Sequence, residues 1–237
     1  MAVDMNASAR LALRVAGLTV KADNGRPILR AGRLDIAPGE AVVVRGPSGA
    51  GKSTLLHVLA GLLPVASGEV RWGETRLDGL GDAARTAFRR RHIGFIFQEH
   101  HLFEELSAIQ NATLAAAYSP RTERASLLAS GRAQLERLGL SKSVERNIAT
   151  FSGGERQRVA VARALAGNPA IILADEPTAS LDRRAADRLI DDLTALARDD
   201  GRTLIAVTHD VHFHHRADRI LDVIDGVLQP EGGRDDG

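Results

Sequence analysis

The segment Gly46-Pro47-Ser48-Gly49-Ala50-Gly51-Lys52-Ser53-Thr54 restricts what this chain can fold into more than any other stretch. It follows Ala41-Val42-Val43-Val44, a short unbroken apolar run. It precedes Leu55, Leu56, Val58, Leu59 and Leu62, which lie close together on a helix surface. That order reads as buried strand, glycine-rich turn, then helix. The spacing of Gly46, Gly49, Gly51, Lys52 and Ser53 fits a phosphate-binding loop. Glycines let backbone N–H groups curl around an anion with no Cβ in the way. The helix that starts there adds the positive end of its dipole. Lys52 can reach the β- and γ-phosphates of a nucleotide, and the Ser53 hydroxyl can ligate Mg²⁺.

The rest of the chain supplies an α/β frame for this turn. Leu11, Leu13 and Val15 alternate with Ala12 and Arg14, as in a strand. Asp23–Pro27 is a turn cluster, Ile28–Ile36 a second strand, and Leu63-Pro64 closes the helix after the phosphate loop. Gly68–Gly73 has the pattern of a hairpin arm, Ala83–Arg91 of a basic helix, and Ile93–Phe97 of a buried strand ending at Gln98. Residues 99–167 change character: they are rich in Ala, Leu, Arg and Glu, with no convincing strand. Ser107–Tyr118 and Thr122–Leu138 read as helices capped by Ser107 and Thr122. Strands return at Ala170–Ala174 and Thr203–Val207, with a helix over Ala185–Arg198 between them. Such alternation implies parallel strands joined by right-handed crossovers. The expected organisation is one domain: a core from 11–98 and 168–228, a helical insert at 99–167, and loose ends at 1–10 and 231–237.

Two further stations carry chemistry. Asp175-Glu176 closes a strand, and ligands of parallel sheets sit outside the carboxyl ends of strands. Asp175 suits Mg²⁺, directly or through water, and Glu176 suits polarising an attacking water. Phe151-Ser152-Gly153-Gly154-Glu155 is a glycine-bearing helix start with the spacing of a capping box. Its free N–H groups make a second anion site. One chain needs only one cradle for a triphosphate, so the question is whose phosphate the second one holds.

Composition narrows the setting. Lys+Arg 31 against Asp+Glu 30 gives no argument for nucleic acid or an acidic membrane face. The chain has no cysteine, which excludes disulfides and thiolate metal sites and is compatible with a reducing compartment. No stretch resembles a signal peptide or approaches the length of a membrane span. The expected location is cytoplasmic, with any membrane role carried by a partner chain.

Ser152-Gly153-Gly154 with Glu155 resembles the signature motif of ATP-binding cassette (ABC) ATPases. The other stations fit the same resemblance in order and spacing. Gln98 matches the Q-loop, Asp175-Glu176 the Walker B pair, Ser180-Leu181-Asp182 the D-loop, and His209 the switch histidine. The resemblance implies a P-loop NTPase, RecA-like core with an antiparallel β arm and an inserted helical subdomain. It implies that two domains meet head to tail, with Lys52's loop on one and Ser152–Gly154 on the other clasping one ATP. Under it Gln98 contacts Mg²⁺ and water, His209 bonds the γ-phosphate, and Asp182 organises the partner's phosphate loop. The cofactors implied are ATP and Mg²⁺. The partners are a second copy of the chain and transmembrane permease subunits docking at Gln98–Phe103, on the inner face of the cell membrane; no nucleic acid is implied.

Within the family, Arg90–Phe97, Gln98–Phe103, Ser152–Val159 and Leu173–Thr178 resemble the lipoprotein-releasing and macrolide-exporter branch. Ala179-Ser180 and Phe151 depart from its common wording. The branch's cell-division ATPase shares the Gln98–Leu102 pattern, which keeps a nucleotide-gated mechanical module as an alternative to a transport ATPase. The family usually stacks adenine on an aromatic near the end of the first strand, but no aromatic precedes Trp72. Val20, Ala22 or a partner group is left to carry the base, and GTP is expected to be tolerated. His212, His214 and His215 lack a metal-site spacing and read as part of an exposed helix. Trp72 and Tyr118 read as packing residues, and Arg85–Arg91 as a solvated or headgroup-facing basic helix.

Overall fold

The computed structural model describes residues 10–230. Apart from Arg10, the loose ends expected at 1–10 and 231–237 lie outside the described residues. Ten strands form one sheet: β1 Leu13–Lys21, β2 Pro27–Ile36, β3 Ala41–Arg45, β4 Ser67–Trp72, β5 Thr75–Arg76, β6 Ile93–Ile96, β7 Ile171–Asp175, β8 Thr203–Val207, β9 Arg219–Ile224 and β10 Val227–Leu228. Their order across the sheet is β5-β4-β1-β2-β10-β9-β3-β8-β7-β6. β9, β3, β8, β7 and β6 pair in parallel, whereas β2, β1, β4 and β5 form an antiparallel arm. The helices are α1 Lys52–Leu59, α2 Asp82–His92, α3 Ala108–Ala112, α4 Arg121–Arg137, α5 Gly153–Leu165, α6 Arg183–Arg198 and α7 Val211–Arg216.

The apolar runs of β3, β7 and β8 are buried on both faces, which is why they lack alternation. Val42, Val44, Ile171, Leu173 and Ile205 face α1 through Leu55 and Leu56. Val43, Ile172, Ala174 and Leu204 face α6 through Leu189, Ile190 and Leu193. Each of the Val, Ile and Leu side chains contributes about 1.5–3 kcal/mol by leaving water. Residues 99–167 form no strand and have their own small core of Ala108, Ala112, Leu135, Leu140, Ile148 and Phe151. α5 belongs to both: Val161 and Leu165 pack on the sheet, Val159 and Ala162 on the helical part. Gly94 of β6 lets α5 come this close, because a Cβ there would stand 2.4 Å from the carbonyl oxygen of Ala164.

Several expectations need correction. The helix expected over Ser107–Tyr118 breaks at Thr113, whose hydroxyl donates back to the Ile109 carbonyl at 2.7 Å, and continues as a 3-10 turn over Leu114–Tyr118. Ser107 does cap α3, but Thr122 caps nothing. α4 starts after Pro120, whose fixed φ suits a helix start, and the Ser119 hydroxyl is already committed to the Ala115 carbonyl. α1 ends at Leu59, before Leu63-Pro64. β6 is an edge strand with Phe95 and Phe97 half-buried, rather than a buried one. Trp72 is a packing residue, wholly buried and donating its indole N–H to the Leu59 carbonyl at 2.9 Å. Tyr118 is not: it is 76% exposed. β9 and β10 have no counterpart in the sequence reading.

Candidate nucleotide site

The phosphate loop sits between β3 and α1, as the motif predicts. Gly51 is the N-cap of α1 at φ +99°, and no side chain caps that helix, so its first N–H groups are left for an anion. Pro47, Ser48 and Gly49 form an exposed crown, while Ala50 and Lys52 are buried. The Lys52 ammonium donates to the carbonyls of Gly46 at 2.8 Å and Pro47 at 2.9 Å, so it arches across the loop it serves. Ser53 and Thr54 are half-buried on the first turn of α1. Behind the loop stands the β9–β10 hairpin. The Gly226 N–H donates to the Ala50 carbonyl at 3.1 Å, and Gly46 lies against the Val223 carbonyl. That hairpin turns at Asp225-Gly226, both at positive φ. Asp-Gly is a strong hairpin signal, and it was the clue available in the sequence.

Strand order then lines up the chemistry. β3, β8, β7 and β6 are consecutive and parallel, so their carboxyl ends share one edge. Val44 pairs with Val207, and Val207 with Asp175, which puts Asp175 two strand spacings, about 10 Å, from the strand feeding the loop. His209 follows β8, Asp175 ends β7 with Glu176 directly after it, and Gln98, exposed, follows β6. Asp175 is 5% exposed and its Oδ1 is buried with no hydrogen-bond partner. A carboxylate oxygen in that condition wants a cation, which fits a Mg²⁺ ligand. Glu176 holds a left-handed backbone at φ +46°, with its N–H donating to the Val207 carbonyl at 2.8 Å. Its Oε1 stands 3.7 Å from Nε2 of His209.

The Ser152–Gly154 helix start forms apart from the phosphate loop. Ser152 caps α5 in a reciprocal box: its hydroxyl accepts from the Glu155 N–H, and the Glu155 carboxylate accepts from the Ser152 N–H at 2.9 Å. That backbone hydrogen bond, with help from the Ser152 hydroxyl, Arg146 and Arg158, outweighs burial and holds the Glu155 carboxyl below its usual range. Gly153 and Gly154 pack against Ser180 and Leu181, not against the phosphate loop. Asp182 caps α6 by accepting from the Ala185 N–H at 2.9 Å.

A polar chain missed by the sequence reading braces the row. Asp210, next to His209, accepts from the Thr178 hydroxyl and the Arg183 guanidinium at 3.1 Å; Arg183 also bonds Asp187, which pairs with His212 at 2.8 Å. Burial pushes the Asp210 carboxyl up, but Arg183, the His212 N–H and Thr178 outweigh it and hold it low. Arg183 reads as an ordinary helix-start residue in the sequence, and nothing there signals its link to Asp210. His212 and His214 are spent on Asp187 and the Thr208 carbonyl, and no cluster of three or more His, Cys, Asp or Glu placed to hold a metal ion occurs among the described residues. Val20 is excluded as a base platform because it is 2% exposed and packs inward from β1; half-buried Ala22 stays available.

The ABC transporter family model matches residues 29–179. The chain belongs to the ABC transporter family. It is the ATP-hydrolysing nucleotide-binding subunit of that family, as the motif order implies. An uncharacterized ABC transporter ATP-binding protein, YbbA of Escherichia coli K12, is 44% identical over 205 residues, which cover 86% of this chain and 89% of that one. A lipoprotein-releasing system ATP-binding protein, LolD of Bordetella pertussis, is 45% identical over 199 residues, 84% of this chain and 85% of that one. Among solved structures, the dimeric structure of MJ0796, a bacterial ABC transporter cassette, superposes with a TM-score of 0.84 at 33% identity, covering 92% of this chain and 97% of that one. MJ0796 in a post-hydrolysis state bound to ADP and Pi gives 0.83. These ABC relatives agree with the lipoprotein-releasing branch and favour transport over the purely mechanical alternative. No helix among the described residues is long and apolar enough to cross a membrane.

Proposed function

We propose that this ABC subunit clasps ATP between two copies of itself and drives export or extraction of a substrate through a separate permease chain. The observation that carries the reading is the separation of the two anion sites. Lys52, His209, Asp175, Glu176 and Gln98 gather on one sheet edge, while Ser152–Gly154 caps a helix packed on Ser180-Leu181. A second cradle that does not serve its own phosphate loop is free to serve a partner's. The dimeric state of MJ0796 supports this geometry.

The roles follow from chemistry. The loop Gly46–Thr54 supplies N–H donors, and Lys52 turns its ammonium from two carbonyls to the β- and γ-phosphates. Ser53, Asp175 and Gln98 would hold Mg²⁺, which neutralises phosphate charge when bound. Glu176 accepts the proton of the attacking water, and His209 donates to the γ-phosphate. Asp182 orders the partner's phosphate loop. The terminal phosphate provides the differential affinity for the closed pair, and its loss lets the pair open. Residues 99–167 work as the inserted helical part of one ABC domain. The Gln98–Phe103 segment, where the core passes into them, meets the permease at the inner face of the membrane.

The test is the association state of the Glu176→Gln chain. Loaded with ATP, it is expected to sediment as a dimer, and to sediment as a monomer when Ser152 is also changed to Arg. A hydrolysis-dead, ATP-loaded chain that stayed monomeric at every concentration, permease present or absent, would overturn the clasp. Pull-down from membranes then identifies the permease.

A further inference from the structure

The fold gathers four arginines around an exposed tyrosine, away from the nucleotide edge. α2 ends in Arg89, Arg90, Arg91 and His92, and runs directly into the edge strand β6. α4 opens with Arg121 and Arg124. One contact joins them: Arg90 donates to the Tyr118 carbonyl at 3.1 Å, while Arg124 donates to the next carbonyl, that of Ser119, also at 3.1 Å. The two guanidinium groups therefore meet around one turn of chain. Arg90, Arg91, Arg121 and Arg124 are all exposed, and none has a carboxylate within ion-pair distance among the described residues. Glu123 is the one acidic residue on these two helix ends. Tyr118, whose carbonyl Arg90 holds, is 76% exposed.

We propose that this cluster rests on anionic phospholipid headgroups. Charge complementarity commits the surface to that occupant: unpaired guanidinium groups are the side chains that bind phosphates by paired hydrogen bonds. A tyrosine held at the same level adds an amphipathic ring, the kind enriched where bilayer meets water. The whole chain carries a formal net charge of only +1, so the attraction is local rather than a whole-molecule effect. The cluster also lies at the opening end of β6, whose closing end carries the Gln98–Phe103 segment. If that segment meets the permease, as proposed above, the arginines sit at the other end of the same edge strand. The lipid contact would then orient the subunit against the bilayer in addition to whatever the permease holds.

The test uses the purified full-length chain, without permease, in flotation with phosphatidylglycerol-containing vesicles and with pure phosphatidylcholine vesicles. Binding only to the anionic vesicles, released by raised salt, is expected. The side chains of Arg91 and Arg121 make no hydrogen bond or ion pair within the described chain, so R91Q/R121Q removes charge without removing an internal hydrogen bond. At about fivefold per arginine near a charged surface, this double variant is expected to bind about 25-fold more weakly, with unchanged melting temperature and ATP hydrolysis. Tyr118→Ala is expected to weaken binding as well. Equal binding to neutral vesicles, no binding to either, or an undiminished double variant overturns the proposal. So does preferential, arginine-dependent capture of single-stranded RNA in place of vesicles. The permease pull-down reads the permease interaction separately, so failure of either leaves the other readable.

Discussion

Nε2 of His209 stands 3.7 Å from Oε1 of Glu176. The two residues leave neighbouring parallel strands, and the Glu176 backbone is held at φ +46° by its own N–H bond to Val207. That spacing is too long for a hydrogen bond. It leaves room for both groups to address a third atom in place of each other. His209→Ala is therefore expected to cut turnover by about a hundredfold or more with little change in the KM for ATP. Steady-state ATP hydrolysis measures both. A large rise in KM with turnover preserved would make His209 a binding residue instead.

Arg183 is expected to position this pair without touching nucleotide. Its guanidinium spans Asp210 and Asp187, so it fixes the residue after His209 to the start of α6, one residue past Asp182. Half its side chain is exposed, so solvent screens the ion pairs and they add little stability. Arg183→Met should leave melting nearly unchanged, lower turnover several-fold and leave KM in place. Arg183→Lys should restore part of the loss. Asp210→Asn should reproduce it, and the double variant should lose less than the sum of the two. Strict additivity would show that the two residues act independently.

The glycines of the phosphate loop separate what the sequence states from what it hides. Their spacing alone marks the turn, and the apolar runs of β3, β7 and β8 mark the sheet, because burial on both faces leaves an unbroken signal. β9 leaves no such signal, since Arg219, Asp222 and the exposed Ile220 and Ile224 dilute its two buried positions, Leu221 and Val223. Without β9 the sequence gives no reason to rank Gly46 above Gly49. In the fold they differ: a Cβ on Gly46 would meet the Val223 carbonyl at 2.0 Å, whereas one on Gly49 meets nothing within 4 Å. Likewise the spacing gives Ser107 as a cap but misplaces Thr122, because the Ser119 hydroxyl turns back to the Ala115 carbonyl and α4 already starts after Pro120. Gly49→Ala should cost only the strain of φ +76°, roughly 1–2 kcal/mol, seen as a fall of about 2–8 °C in Tm. Gly46→Ala must displace backbone and should cost more than about 4 kcal/mol, with nucleotide binding lost. Comparable Tm values for the two would remove β9 as the wall of the site.

Acid should weaken the Q-loop side of the molecule before it touches the carboxylates. Burial lowers the affinity of His100 for a proton; the Gln157 hydrogen bond opposes this, while Arg156, Arg163 and His101 add to it. Arg163 itself grips the carbonyls of His100 at 2.7 Å and His101 at 2.6 Å, tying the segment to α5. Burial, followed by the charge of Arg91, lowers His92 at the other end of β6. Both histidines therefore bind protons more readily in the unfolded chain, where their ordinary value is 6.5. Stability rises with pH wherever the unfolded state holds more protons. The stability these neutral rings support is present above 6.5 and falls away as pH drops below it. Asp210 and Glu155, held low in the fold, contribute in a separate window, lost only below the ordinary carboxylate range of 3.8–4.5. Melting temperature recorded from neutral to mildly acid pH should therefore decline already above pH 5, and His92→Gln with His100→Gln should flatten that decline while leaving the steeper loss at lower pH. A profile flat down to the carboxylate range in the parent chain would show that neither ring is held neutral by the fold.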